Sequence, residues 1–112
     1  MEITTAVERL AALSQETRLA IFRLLVRYGS EGRCVGDIQS ELALAPATLS
    51  FHLKELTRAG LLKARQEGRF IYYAPDFTAM NALLAYLTEN CCAASAASTE
   101  CRPVAACSGA CS

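Results

Sequence analysis

Apolar residues recur at helical spacing in the segments before Gly60, lose that spacing across "LLKARQEGRFIYY", where aromatic and β-branched residues gather after Gly68, and then return to it. A helical pattern cannot be laid out as a strand, nor a strand pattern as a helix, without exposing its apolar set. The chain is therefore expected to place helices first, a short ribbon next and one helix last. Thr5 to Leu13 reads as the first helix, with Val7, Leu10, Ala11 and Leu13 on one side. Ser14 is the expected N-cap of a second, with Glu16 near its positive dipole end. Leu19, Phe22, Leu25 and Val26 stand at core spacing along it, and it stops near Gly29, before a loop "GSEGR".

"VGDIQSEL" makes a third helix, with Ile38 and Leu42 four apart, and "ALAP" breaks it. Pro46 suits a first turn and opens a fourth helix running to about Ala59, where Gly60 supplies a left-handed cap. "LLKAR" and "RFIYY" are two short strands around a turn at Gly68. Asp76 can cap the last helix, whose stripe is Phe77, Met80, Leu83, Leu84 and Leu87. The expected class is mainly α with a small β-hairpin, in the order of a winged helix-turn-helix. The last stripe is too apolar for a lone surface helix. Met80, Leu83, Leu84 and Leu87, with Leu10 of the first helix, are therefore expected to meet a second copy in a homodimer.

Five of the six cysteines (Cys91, Cys92, Cys101, Cys107 and Cys111) fall in a closing stretch of mostly Ala and Ser that cannot build a core. The reading is thus a domain over residues 1–90 and a cysteine-rich tail over 91–112. No apolar run reaches membrane-spanning length, because Arg23 and Arg27 interrupt the best candidate. The N-terminus lacks a basic-then-apolar signal pattern, so a cytoplasmic location is expected, with no membrane partner. Thiols stay reduced there, and clustered ones suggest metal binding or redox chemistry over a disulfide framework.

Net charge is zero, yet its distribution is uneven. Residues 47–73 hold Lys54, Arg58, Lys63, Arg65 and Arg69 against Glu55 and Glu67, while the flanking segments are slightly acidic. In the fourth helix Leu49, Leu53 and Leu56 should face the core, which turns Ala47, Phe51, Lys54 and Arg58 outward with Thr48 and Ser50 on the flanks. A helix that enters a major groove needs this division. Ser50 can bond a base edge or a phosphate, Phe51 and Ala47 can touch thymine methyls, and Thr48 can do either. Lys54 and Arg58 suit phosphates, and Arg65 and Arg69 on the wing suit backbone or minor-groove contact. An ordinary amphipathic helix followed by a hairpin has the same spacing; the local basic excess and outward Phe51 argue against it. His52, the sole histidine, falls beside the Leu stripe and reads as packed or capping rather than metal-ligating.

"APATLSFHLKELTRAGLL" followed by "RQEGRFIYY" resembles the recognition helix and wing of the ArsR/SmtB family of metal-responsive repressors, and "LSQETRLAIFRLL" resembles its second helix. The resemblance covers roughly residues 5–90. It implies a homodimer that binds double-stranded DNA at an inverted-repeat operator and releases it when an inducer binds. Phe51 departs from the His, Arg or Lys often found at that position. The family's arsenic site at the third helix is a C-x-C, whereas "RCVGDI" has Cys34 alone with Gly36 at the second position, so Cys34 reads as a small buried hydrophobe rather than a ligand. The family's zinc site on the last helix needs His, and "TAMNALLAYLTEN" has none.

What remains is the Cys91-Cys92 pair with the tail thiols. Soft ions select thiolates, and trivalent arsenic or antimony takes three in a pyramid. Cys101 is the expected third ligand, since nine steps of chain reach about 30 Å and a shorter loop closes at lower entropic cost. Cys107 and Cys111 are substitutes. No permanent cofactor is expected; As(III) or Sb(III) is the inducer, and the resemblance implies arsenic. The competing readings are a tail with no role, a redox switch in which Cys91 or Cys92 pairs with a tail thiol, and a sensor of Cd(II), Pb(II) or Cu(I). An enzyme is not expected, because no base is arranged to activate a nucleophile.

Overall fold

The computed structural model describes residues 1–94. Helices α1 (Ile3–Leu13), α2 (Glu16–Tyr28), α3 (Val35–Leu42), α4 (Pro46–Arg58) and α5 (Phe77–Thr88) surround a small sheet of β1 (Arg33–Cys34), β2 (Leu62–Glu67) and β3 (Phe70–Pro75). The sheet is antiparallel in the order β1-β3-β2. Among the described residues no helix is long and apolar enough to cross a membrane.

The Leu stripe of α4 lies at the centre. Leu49, Leu53 and Leu56 are buried with Ile21 and Leu25 of α2, Ile38 of α3, and Leu61 and Leu62 after α4. Burying a side chain of that size stabilises the fold by about 1.5–3 kcal/mol. α4 ends in a paired turn: Leu61 N–H donates to Leu56 O (3.0 Å) and Gly60 N–H to Thr57 O (3.0 Å), with Gly60 at φ 83°. That arrangement satisfies the last carbonyls and needs a residue without Cβ at the left-handed position. Asp76 caps α5 as expected, its Oδ1 accepting from Ala79 N–H at 3.1 Å.

Three expectations are corrected. Ser14 closes α1, its hydroxyl donating to Ala11 O at 2.8 Å, and Gln15 caps α2 by accepting from Arg18 N–H at 2.8 Å. The ribbon has a third strand, because "GSEGR" contains a 3-10 turn and then β1, which pairs Arg33 with Tyr73 and Cys34 with Tyr72. Gly32 permits this approach: a Cβ there would strike the Tyr73 carbonyl. In α1, Ala6 and Ala12 are buried and Leu13 packs against the core, while Val7 and Leu10 lie exposed, as a dimer face requires of Leu10. In α2 the interior residues are Ile21, Phe22, Leu24 and Leu25, leaving Leu19 and Val26 exposed.

His52 belongs to this core, 8% exposed, and its Nδ1 lies 3.3 Å from an Arg18 guanidinium nitrogen. Burial, and then the Arg18 charge, hold its pKa below the ordinary imidazole value. A depressed histidine is neutral in the fold but takes a proton when unfolded, so acidification favours the unfolded chain. Stability should therefore fall as pH drops below about 6.5, down toward the depressed folded value. His52→Gln keeps a neutral acceptor and should show a shallower loss of thermal midpoint between pH 7.5 and 5.5 than wild type. Equal losses in the two proteins would show that His52 is not a buried neutral histidine.

Candidate DNA interface and thiol pair

The turn between α3 and α4 sets the angle of the outward face. Ala43 takes φ 51°, a left-handed conformation costing about 1–2 kcal/mol for a residue with Cβ. It persists because Leu44, partly buried, packs on the core and its N–H reaches Gln39 O at 3.3 Å. Ala45 is then extended and Pro46 starts α4. The core-facing Leu residues fix the rotation of α4, and Ala47, Thr48, Ser50, Phe51 and Lys54 come together on one exposed face. Phe51 is 57% exposed, its ring edge-on to His52 with centroids 5.5 Å apart. An apolar ring held at such a surface suits contact with thymine methyls.

Arg58 stands apart from that group. At the far end of α4, it pairs with Glu55 at 2.7 Å, and each partner's charged form is favoured by the bond. It also feels Glu8 of α1, more distantly. An exposed pair of this kind holds weakly, so a phosphate can compete for the guanidinium.

The wing is a tight hairpin. Glu67 opposite Phe70 leaves only Gly68 and Arg69 in the loop, with Gly68 at φ 61° and Arg69 not in the left-handed region. This is the type II′ arrangement, which continues the twist of the strands. Arg69 is exposed at the tip, and among the described residues it joins no ion pair. Arg65 is held back on one sheet face, 4.9 Å over the Tyr72 ring and 3.3 Å from Glu67. Tip and recognition face thus carry different groups: a cation on the wing, and small, polar and aromatic side chains on α4.

The Cys91-Cys92 pair lies just past α5. Thr88 O accepts from Cys91 N–H and Asn90 O from Ala93 N–H, both at 3.0 Å, with Asn90 and Cys92 in left-handed conformations. The two sulfurs are 3.5 Å apart. Cys91 is a free, exposed thiol; Cys92 is disulfide-bonded. Among the described residues no three His, Cys, Asp or Glu side chains are grouped to hold a metal ion, and Cys101, Cys107 and Cys111 lie outside those residues. Cys34 is half-buried on β1 opposite Tyr72.

Of the expected dimer residues, Leu83 is buried within the chain, with Ala79 of α5 and Ala6 of α1. Leu10, Leu84 and Leu87 are exposed, and Met80 is half-buried against the core. Ile3 and Val7, which sequence reasoning did not place at an interface, extend the exposed apolar face of α1 at 66% and 57%. Their spacing with Leu10, four and three apart, was the available signal.

A recognition helix packed behind a tight turn and flanked by a basic wing defines a winged helix-turn-helix DNA-binding protein. Residues 13–65 match a helix-turn-helix domain model. The transcriptional activator HlyU of Vibrio cholerae is 34% identical over 89 residues, 80% of each chain. Its structure superposes with a TM-score of 0.62, covering 78% of this chain and 97% of that one at 35% identity. The homodimeric winged helix-turn-helix domain of an ArsR-family candidate from Mycobacterium bovis gives a TM-score of 0.60 at 28% identity, over 79% and 82% of the two chains. A candidate arsenical resistance operon repressor of Halobacterium salinarum is 30% identical over 76 residues, 68% of this chain and 63% of that one. The chain belongs to the ArsR family of helix-turn-helix transcriptional regulators.

Binding to DNA should weaken steeply with salt, because Lys54 and Arg69 are exposed where they can replace counterions at phosphates. Arg69→Ala should lower affinity for many sequences alike, while Ser50→Ala should narrow the gap between operator and unrelated DNA by about 1–3 kcal/mol. Competition anisotropy across salt concentrations reads both. An unchanged gap in Ser50→Ala would misplace the recognition face.

Proposed function

We propose that this protein is a homodimeric repressor that binds an inverted-repeat operator and is released when trivalent arsenic or antimony binds Cys91, Cys92 and one tail thiol. The carrying observation is the adjacent sulfurs 3.5 Å apart just beyond α5, close enough for one thiophilic ion to bridge. Each ligation replaces a hydroxyl of the metalloid with a thiolate sulfur and releases water, so the competent state has both thiols reduced. Cys101 is the third ligand in this reading, with Cys107 and Cys111 able to stand in. A relative named for arsenical resistance is consistent with that chemistry. The apolar face of Ile3, Val7 and Leu10 on α1 and Leu84 and Leu87 on α5 supports the homodimer, as does the homodimeric M. bovis relative.

Release requires that the inducer favour the DNA-free conformation over the bound one, and a coupling of about 1–3 kcal/mol suffices. Arsenite should raise the operator Kd of wild type and Cys34→Ser alike. Cys91→Ser and Cys92→Ser should bind operator normally and ignore arsenite. Anisotropy of a labelled operator gives the answer; normal responses from both variants would defeat the tail-site reading. For the dimer, Leu87→Glu should shift sedimentation toward a monomer at micromolar concentration, and a wild-type protein that already sediments as a monomer would refute the interface.

A second reading is a thiol redox switch on the same fold, favoured by the disulfide at Cys92. One solved structure of HlyU from Vibrio cholerae is of its reduced form. Peroxide releasing the operator in the absence of metalloid, reversed by reductant, would select this reading over the first.

A further inference from the structure

α1 stands between the end of the chain and the recognition helix. On one side it packs against α5, and Ala6 of α1 and Ala79 and Leu83 of α5 are buried outside the main core cluster. On the other it meets α4 through directional polar bonds. Arg9 Nε donates to the Ala59 carbonyl at 3.3 Å. Arg18 Nε donates to the Ala12 carbonyl at 2.7 Å and its guanidinium reaches His52 Nδ1 at 3.3 Å. The other charged groups lining this seam are Glu8, Glu55 and Arg58.

We propose that Arg9 is a positioning residue for operator release: it couples the state of the α5 end to the recognition helix through its bond to the Ala59 carbonyl at the C-terminus of α4. The coupling to an inducer rests on the thiol-site reading above. Three observations converge on Arg9. Ala59 O belongs to the turn that ends α4, where a cation meets the negative end of the helix dipole. A Cβ on Gly60 would stand 3.3 Å from Arg9 Nη2, so the guanidinium fills the space at that turn. The bond is near the long limit for N–H···O, so a small displacement of α1 decides whether it holds. The α1–α5 seam is built from alanines and one leucine, with little side-chain slack to absorb a shift of α5. Packed seams pass small shifts on as discrete rearrangements rather than damping them. Ligation at Cys91 and Cys92 thus moves α5, α5 carries α1, and Arg9 tilts α4 from its C-terminal end.

The test uses the full-length protein, reduced and then freed of reductant. Arsenite uptake is followed by thiolate–arsenic absorbance, and operator Kd is measured without arsenite and at saturation. Wild type should show a Kd ratio of about 5–150-fold. Arg9→Met should take up arsenite normally and bind operator within about threefold of wild type without it, yet show a ratio below about threefold. Arg9→Lys keeps the cation and a donor, and should restore most of the ratio. An Arg9→Met protein that keeps the wild-type ratio overturns the proposal, whether or not its thermal midpoint or basal affinity has fallen. Absence of arsenite uptake by wild type would overturn the thiol-site reading and the coupling with it, whereas uptake with release surviving in Arg9→Met overturns the Arg9 proposal alone.

Discussion

The burial of Leu49, Leu53 and Leu56 decides which face of α4 meets the outside world. A helix has one rotational setting that hides all three, and in that setting Ala47, Ser50, Phe51 and Lys54 are exposed together. Rotating α4 to present other residues would expose two or three large apolar side chains, at about 1.5–3 kcal/mol each. DNA recognition is therefore a by-product of core packing: the reading face is whatever the core leaves out. The left-handed Ala43 is strain accepted at the turn so that Leu44 can join that same core.

The polar contacts do a different job. Arg9 and Arg18 fix the azimuth and tilt of α4 relative to α1 without adding apolar area, because hydrogen bonds have direction and hydrophobic contacts do not. His52 completes this frame from within α4, which is why a histidine beside the recognition face points inward to Arg18 rather than outward to a groove. The Tyr28, Arg33 and Glu41 group plays a similar part at the other edge. Glu41 accepts from the Tyr28 hydroxyl at 2.7 Å and from Arg33 at 2.8 Å, tying α2, β1 and α3 together.

Much of this was legible because it follows from period. The α4 stripe, Pro46, Gly60, Gly68 and Asp76 are residue-type signals whose physics is local, and each did what its chemistry predicts. β1 was not legible, since two residues are too short for alternation and its pairing depends on Gly32 letting β3 come close. The burial of Ala6 and Ala12 in α1 was not legible, because small residues carry weak pattern signals. Arg9 and Arg18 had no signal: a lone arginine looks alike in sequence whether it waves in solvent or caps a neighbouring helix. Leu83 was assigned to an interface between copies because a stripe names a buried face without naming what buries it.

The buried residues of the described chain stop at Leu83, and Cys91 and Cys92 come after the last helix has ended. Thiols placed there can be added, lost or respaced by mutation without opening a cavity or breaking a helix. Residues embedded at the start of α3 have no such freedom, since Gly32, Arg33 and Cys34 are wedged against β3. Given the sensing role proposed above, a lineage carrying its thiols past the last helix retunes what it responds to far faster than it retunes the DNA it reads.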